Sequence, residues 1–249
     1  MEATVFISHG SRSEQGNKVF VSFIEKVISA GQSAMAAYGF LENARPTIFE
    51  SVESSILKGA TSVTVVPVLL LPGIHANVDI PEELEKVSLK YPEVTICYGE
   101  PLGVNDTILE VVLDRLKEQG FSGSESEGVL LVGHGSRDPL AATEFEKLAG
   151  RVQGKVHTKV ETGYITTQPF YGENLMASHE SKKVYVLPFL LYTGGFTVKM
   201  EETITNILVQ YPEKEIVLCE PIGFDDRLGD LLLQRAGEAR KRRKSLVKL

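Results

Sequence analysis

Two histidines and a carboxylate carry most of the chemistry that this sequence offers. His9 lies in ISHGSR, Glu42 in GFLEN and His75 in LLPGIHANVD, and each follows an apolar, β-branched run that reads as a strand. In open parallel sheets, ligands gather beyond the carboxyl ends of the strands, so side chains borne after different strands can converge on one point. Two imidazoles and a carboxylate suit borderline divalent ions such as Fe2+, Co2+, Ni2+ or Zn2+, and softness alone does not choose among them. A neutral imidazole, with an ordinary pKa of ~6.5, can also accept a proton near neutral pH. Taken singly, His9 also fits a ring bonded to backbone, His75 a solvated loop histidine and Glu42 an exposed loop acid; it is the grouping that points to a metal. Gly10 and Ser11 suit a tight strand-to-helix turn, with Ser11 as the helix cap, and Gly73 lets the chain bend before His75. His157 and His179 stand in polar surroundings and are expected at the surface.

Rival chemistries fail on neighbouring residues. A phosphohistidine site of the Arg-His-Gly type needs an arginine where Ser8 precedes His9 and Gly133 precedes His134, and HGS lacks the G-x-S-x-G spacing of a hydrolase elbow. Cys97 and Cys219 are too few and too far apart for a disulfide framework, a zinc cage or an iron–sulfur centre. The balance of 26 basic against 33 acidic residues, a net charge of −7, provides no field for a nucleic-acid backbone. The amino terminus MEATVFISHG has no signal-peptide pattern, and the apolar stretch 63–74 falls well short of the ~20 residues that span a bilayer. A cytoplasmic protein with no membrane segment is expected. The closing KRRKSLVKL reads as a helix end whose cations suit the negative terminus of the helix.

The elements that must position these residues come in duplicate. VFISHGSR at 5–12 returns as LVGHGSRD at 131–138, VTVVPVLLLPGI as VYVLPFLLYTGG, and KYPEVTICYGEPLGVND at 90–106 as QYPEKEIVLCEPIGFDD at 210–226. The offsets are 134 − 9 = 125, 188 − 67 = 121 and 220 − 100 = 120, so the copies differ by short gaps only. Strands are expected near 4–8, 34–41, 62–70, 94–98, 129–133, 156–164, 182–191 and 214–219, each followed by a segment of helical spacing. The pattern βαβαβαβα predicts an α/β fold of two similar domains, each a four-stranded parallel sheet flanked by helices, over residues 1–122 and 128–249, with GFSGSESEG at 120–128 as linker. Asp79-Ile80-Pro81-Glu82-Glu83 reads as a helix start. The second copy keeps His134 but has Phe196 or Gly195 opposite His75, and Thr166 or Ile165 opposite Glu42. One half therefore retains a ligand set and the other has lost it.

HGSR after the first strand, the segment PVLLLPGIHANVDIPEE and the repeated EPLG/EPIG followed by aspartate resemble the class II tetrapyrrole chelatases of siroheme and cobalamin biosynthesis, most closely their two-domain sirohydrochlorin ferrochelatase and cobaltochelatase members. The resemblance covers nearly the whole chain. It implies a lyase that inserts Fe2+, or Co2+, into sirohydrochlorin without ATP and without a permanently bound cofactor, in a cleft between the halves of a monomer. It maps His9 and His75 onto the metal-binding histidines and Glu42 onto a carboxylate beside them. Ser11, Arg12, Arg45, Asn77, Arg137 and Lys199, with helix amino termini, are the candidates to hold the carboxylates of the tetrapyrrole. A metallochaperone or tetrapyrrole carrier that uses the same histidines without turnover is the non-enzymatic alternative.

Overall fold

The computed structural model describes every residue except 32, 34, 178–180 and 247–249, which leaves His179 outside the described residues. It contains two four-stranded, all-parallel sheets. The first joins β1 (Glu2–Ser8), β2 (Met35–Phe40), β3 (Ser62–Val68) and β4 (Thr95–Tyr98) in the order β2-β1-β3-β4. The second joins β5 (Glu127–Gly133), β6 (Val160–Tyr164), β7 (Lys183–Pro188) and β8 (Glu215–Leu218) in the order β6-β5-β7-β8. All seven residues of β3 are buried, as a strand covered on both faces requires. Pro67, which has no N–H to give, is tolerated in this central strand. It lies two residues past Val65, on the flank that β4 leaves when it ends opposite Val65 at Tyr98. The expected β6 is shortened: helix α5 (Pro139–Val156) continues to Val156, and His157, exposed at φ 56°, closes it in the left-handed conformation.

Helix α1 (Glu14–Ala30) turns Phe20, Phe23, Ile24 and Val27 inward at helical spacing. Its cap is Ser13, whose hydroxyl accepts from the Gly16 N–H, and not Ser11. Ser11 is instead clamped through its backbone by Asn17, which donates to the Ser11 carbonyl and accepts the Ser11 N–H, each at 2.7 Å. Helix α2 (Ile48–Leu57) starts with a capping box between Thr47 and Glu50. Helix α3 (Ile80–Lys90) does not start freshly at Asp79, because the chain is already helical: a π-turn from His75 to Asp79 runs straight into it, and Asp79 makes no capping bond. No described helix is long and apolar enough to cross a membrane.

The compact units do not follow the linear halves. One comprises Met1–Gly103 with Phe224–Leu249, the other Val104–Gly223. Helix α4 (Asp106–Glu118) therefore packs with the second sheet and α8 (Arg227–Leu246) with the first, so each copy gives its last helix to the other unit. The repeated EPLG and EPIG segments are where the chain leaves, and Gly103 and Gly223 turn there at φ +71° and +61°. Each exchanged helix is fastened by an equivalent arginine. Arg235 of α8 donates to the Leu102 carbonyl at 2.7 Å, and Arg115 of α4 donates from Nε to the Pro221 carbonyl at 3.1 Å. Arg242 in the basic closing segment pairs with Glu100 at 2.5 Å. The segment expected as a plain linker ends in a structured knot. The N–H groups of Ser122, Gly123 and Ser124 and the Ser122 hydroxyl all donate to one oxygen of the buried Glu127, and the Tyr185 hydroxyl donates to the other.

Candidate functional site

The site forms where the order of the first sheet reverses, between β1 and β3, the crevice at which open α/β sheets bind ligands. His9 is the first residue after β1. Its Nδ1 lies 3.0 Å from the Gly10 carbonyl, an acceptor only, so Nδ1 donates there and Nε2 is the ring nitrogen left to face the site. Glu42 follows β2 and is tied to the same spot by backbone, its N–H donating to the His9 carbonyl at 3.0 Å. That approach needs glycine at position 10. Gly10 has φ +87°, and a Cβ there would meet the Glu42 carbonyl oxygen at 1.9 Å. The Glu42 carboxylate then stands 3.6 Å from His9 Nε2 and accepts from the Asn43 side chain at 2.8 Å.

His75 arrives from the far side of the switch point, on the π-turn rather than on a loop. Its ring meets His9 edge to face, with centroids 4.7 Å apart and planes at 83°. The Ile80 N–H bonds the His75 carbonyl in the i to i−5 pattern, and the Tyr98 hydroxyl donates to the Ala76 carbonyl at 2.8 Å, fastening the turn to β4. Burial first, and then the nearby Glu100 charge, push the Tyr98 phenol well above its ordinary range, so it remains a donor. Asp79 lies 2.5 Å from His75 Nδ1. Gly73 has no left-handed backbone; its carbonyl accepts the Asn77 N–H at 2.8 Å and opens the turn. Among the described residues no three His, Cys, Asp or Glu side chains make a ready ligand cage. The arrangement is an open pair of imidazoles with a carboxylate at one edge, all partly exposed.

The second unit repeats this scaffold with other side chains. The Thr166 N–H donates to the His134 carbonyl at 3.0 Å, which sets Thr166 rather than Ile165 opposite Glu42. Phe196 meets His134 at 5.1 Å and 75°, so it is Phe196, and not Gly195, that stands where His75 does. The other candidates are dispersed. Arg45 is turned to Glu50, the carboxylate of the α2 capping box. Arg12 and Asn77 are exposed in the first unit, Arg137 and Lys199 in the second, Lys199 in the opening turns of helix α7 (Gly195–Gln210). Neither cysteine is exposed. Burial first, with the Glu118 and Glu220 charges, pushes the Cys219 thiol up to about 12.

The profile of the CbiX family matches residues 3–119 and, a second time, residues 128–239. The chain belongs to the CbiX family. It is 36% identical over 236 residues to the sirohydrochlorin ferrochelatase of Priestia megaterium, covering 93% of this chain and 88% of that one. It is 32% identical over 246 residues to the sirohydrochlorin cobaltochelatase of the same organism, covering 96% and 80%. The solved structure of SirB from Bacillus subtilis with Fe3+ superposes with a TM-score of 0.86 at 29% identity, covering 96% and 95%. Two residues that shape the site of this CbiX-family chain escaped the sequence reading. In the sequence Asp79 sits in the helix-start motif 79–83, and Tyr98 closes the expected strand 94–98. The linear signal for Asp79 is the one-residue gap between the copies in this stretch, Tyr91 standing 24 positions after Pro67 but Tyr211 only 23 after Pro188, and for Tyr98 it is the Leu218 at the corresponding position.

Proposed function

We propose that this CbiX-family protein is a sirohydrochlorin ferrochelatase, inserting Fe2+ into sirohydrochlorin to give siroheme without ATP. The observation that carries the reading is the meeting of His9 and His75, with Glu42 beside His9, at the switch point of the first sheet. Metallation requires the macrocycle to lose two pyrrolic protons and the ion to shed water. Two imidazole nitrogens can replace part of the water shell. Because only these two and one carboxylate edge are offered, with no thiolate, the ion is held loosely enough to be given up. Glu42, more than half exposed, can take a proton near His9 and pass it to solvent. The metal is a substrate here and no resident cofactor is invoked.

In this reading the first unit does the chemistry and the second, with Phe196 and Thr166 at the corresponding positions, does not. Ser11, Arg12, Arg45, Asn77, Arg137 and Lys199 remain the proposed partners of the substrate carboxylates, Arg45 after release from Glu50. The protein acts as a monomer in the cytoplasm, with which its two buried, unbridged cysteines are compatible. Cobalt is the second reading for the metal, favoured by the similarity to the cobaltochelatase. An anaerobic absorbance assay of sirohydrochlorin with Fe2+, and separately Co2+, tests both. A chelatase accelerates metallation over the uncatalysed rate, with the faster ion naming the physiological metal, whereas a carrier binds pigment or ion and leaves the rate unchanged.

A further inference from the structure

We infer that Asp79 is a positioning residue for this site: its carboxylate fixes His75 as the Nδ1–H tautomer and so presents the Nε2 lone pair to the metal. The inference rests on the chelatase reading only for the identity of what His75 binds. Asp79 Oδ2 lies 2.5 Å from His75 Nδ1, and an ionised carboxylate only accepts, so the ring nitrogen facing it must carry the hydrogen. His9 is set in the same tautomer by a main-chain carbonyl, which no substitution at another side chain removes. The partner of His75 is a side chain, and the orientation of that ring is accordingly a property of one residue.

Three further observations separate this role from ordinary helix architecture. Asp79 makes no capping bond, and the first turn of α3 already has Glu82 and Glu83 for the helix dipole. The π-turn that carries His75 and Asp79 is an insertion: the core residues Ile80, Leu84 and Val87 of α3 match Met200, Ile204 and Ile207 of α7 at an offset of 120, while His75 matches Phe196 at 121. The extra residue therefore falls after His75, within the π-turn, and single π-turns inside helices gather at functional sites. Finally, between the matched points the first copy reads Ala-Asn-Val-Asp and the second Thr-Val-Lys. Where the imidazole is replaced by Phe196, the acid is gone as well, and so is the Tyr98 hydroxyl that fastens the turn, since Tyr98 corresponds to Leu218. The pair and its support are present together or absent together.

The test uses the full-length protein with Asp79→Ala and Asp79→Glu, after thermal melts establish that both fold. In metal-free protein at pH 8, long-range 15N–1H spectra of the histidine rings, assigned with His75→Ala, should show His75 protonated at Nδ1 in the parent. In Asp79→Ala it should shift toward the Nε2–H form that free imidazole favours in water, and in Asp79→Glu it should largely return. Co2+ titration of the metal-free protein should weaken about 10- to 100-fold in Asp79→Ala, the usual scale for losing the partner of a ligating histidine, with partial rescue by glutamate. An unchanged His75 tautomer in Asp79→Ala, or a shifted tautomer with Co2+ affinity within twofold of the parent, would overturn the inference. A parent protein that binds Co2+ but fails to metallate sirohydrochlorin would overturn the chelatase reading and leave this inference standing.

Discussion

The imidazole of His75 crosses that of His9 edge to face at 4.7 Å, and His134 is crossed by Phe196 at 5.1 Å in the same way. The two units thus hold one scaffold with different side chains at the second ring position. In both, the first ring follows the strand beside the switch point and the second opens the helical segment after the next strand in the sheet. Only in the first unit does the second ring have nitrogen to offer.

The turn that joins His9 to Glu42 should tolerate no side chain at its glycine. Gly10→Ala places a Cβ where the Glu42 carbonyl lies and forces alanine into a left-handed backbone, so Glu42 must move away from His9. Metallation should fall at least tenfold, and the melting temperature by several degrees. Gly150→Ala, in α5 with nothing within 4 Å of the added methyl, should instead stabilise by about 0.5–1 kcal/mol and leave the rate unchanged. Parallel melts and rates decide; a fully active Gly10→Ala would show that the Glu42 placement is unnecessary.

Exchange of the last helices makes Arg115 and Arg235 reciprocal fasteners. Both side chains are largely buried, and each donates to a carbonyl of an EPIG or EPLG segment in the unit that receives its helix. A charged hydrogen bond of this kind contributes about 1.5–3 kcal/mol. Arg115→Met and Arg235→Met should therefore each lower the melting temperature by about 3–10 °C. Differential scanning calorimetry measures this, and a shift under 1 °C in both would show that the fasteners are ornamental.

Glu127 predicts a specific acid sensitivity. Desolvation raises its pKa, but the hydrogen bonds from Ser122, Ser124 and Tyr185 outweigh that, and the carboxyl is held below its ordinary value. A folded-state pKa below the unfolded one gives stability that is present above the unfolded value and lost as pH falls through the folded one. Urea unfolding of the parent should weaken as pH drops below about 4.5, the ordinary carboxyl value, more steeply than that of Glu127→Gln. At pH 7 the variant should be about 1–3 kcal/mol less stable, because its amide turns a donor toward other donors. Equal slopes in acid would assign the sensitivity elsewhere.

The strands and the parallel sheets were legible because β-branched runs and their repetition fix period and order, and His9, Glu42 and His75 were legible because each follows such a run. What was not legible depends on contacts between distant segments. Residues 104–105 and 224–226 look like any turn, so nothing in them reveals that α4 and α8 change units. Ser11 and Ser13 are equally good caps by type; the choice fell to Ser13 once Asn17 had engaged the Ser11 backbone. Asp79 sat in a helix-start motif that the continuous π-turn left without a capping task. The cations gave the weakest signal, for exposed arginines and lysines find local carboxylates, as Arg45 finds Glu50.

The central claim is that the chemistry belongs to the first unit alone, and the initial rate of sirohydrochlorin metallation in four folded variants tests it. His9→Ala and His75→Ala should each reduce the rate at least 100-fold, and Glu42→Gln should lower kcat more than it raises KM, as expected for a group acting on protons in the transition state. His134→Ala, whose ring faces only Phe196, should stay within about threefold of the parent. A loss in His134→Ala equal to that in His9→Ala would contradict the account and place chemistry in the second unit.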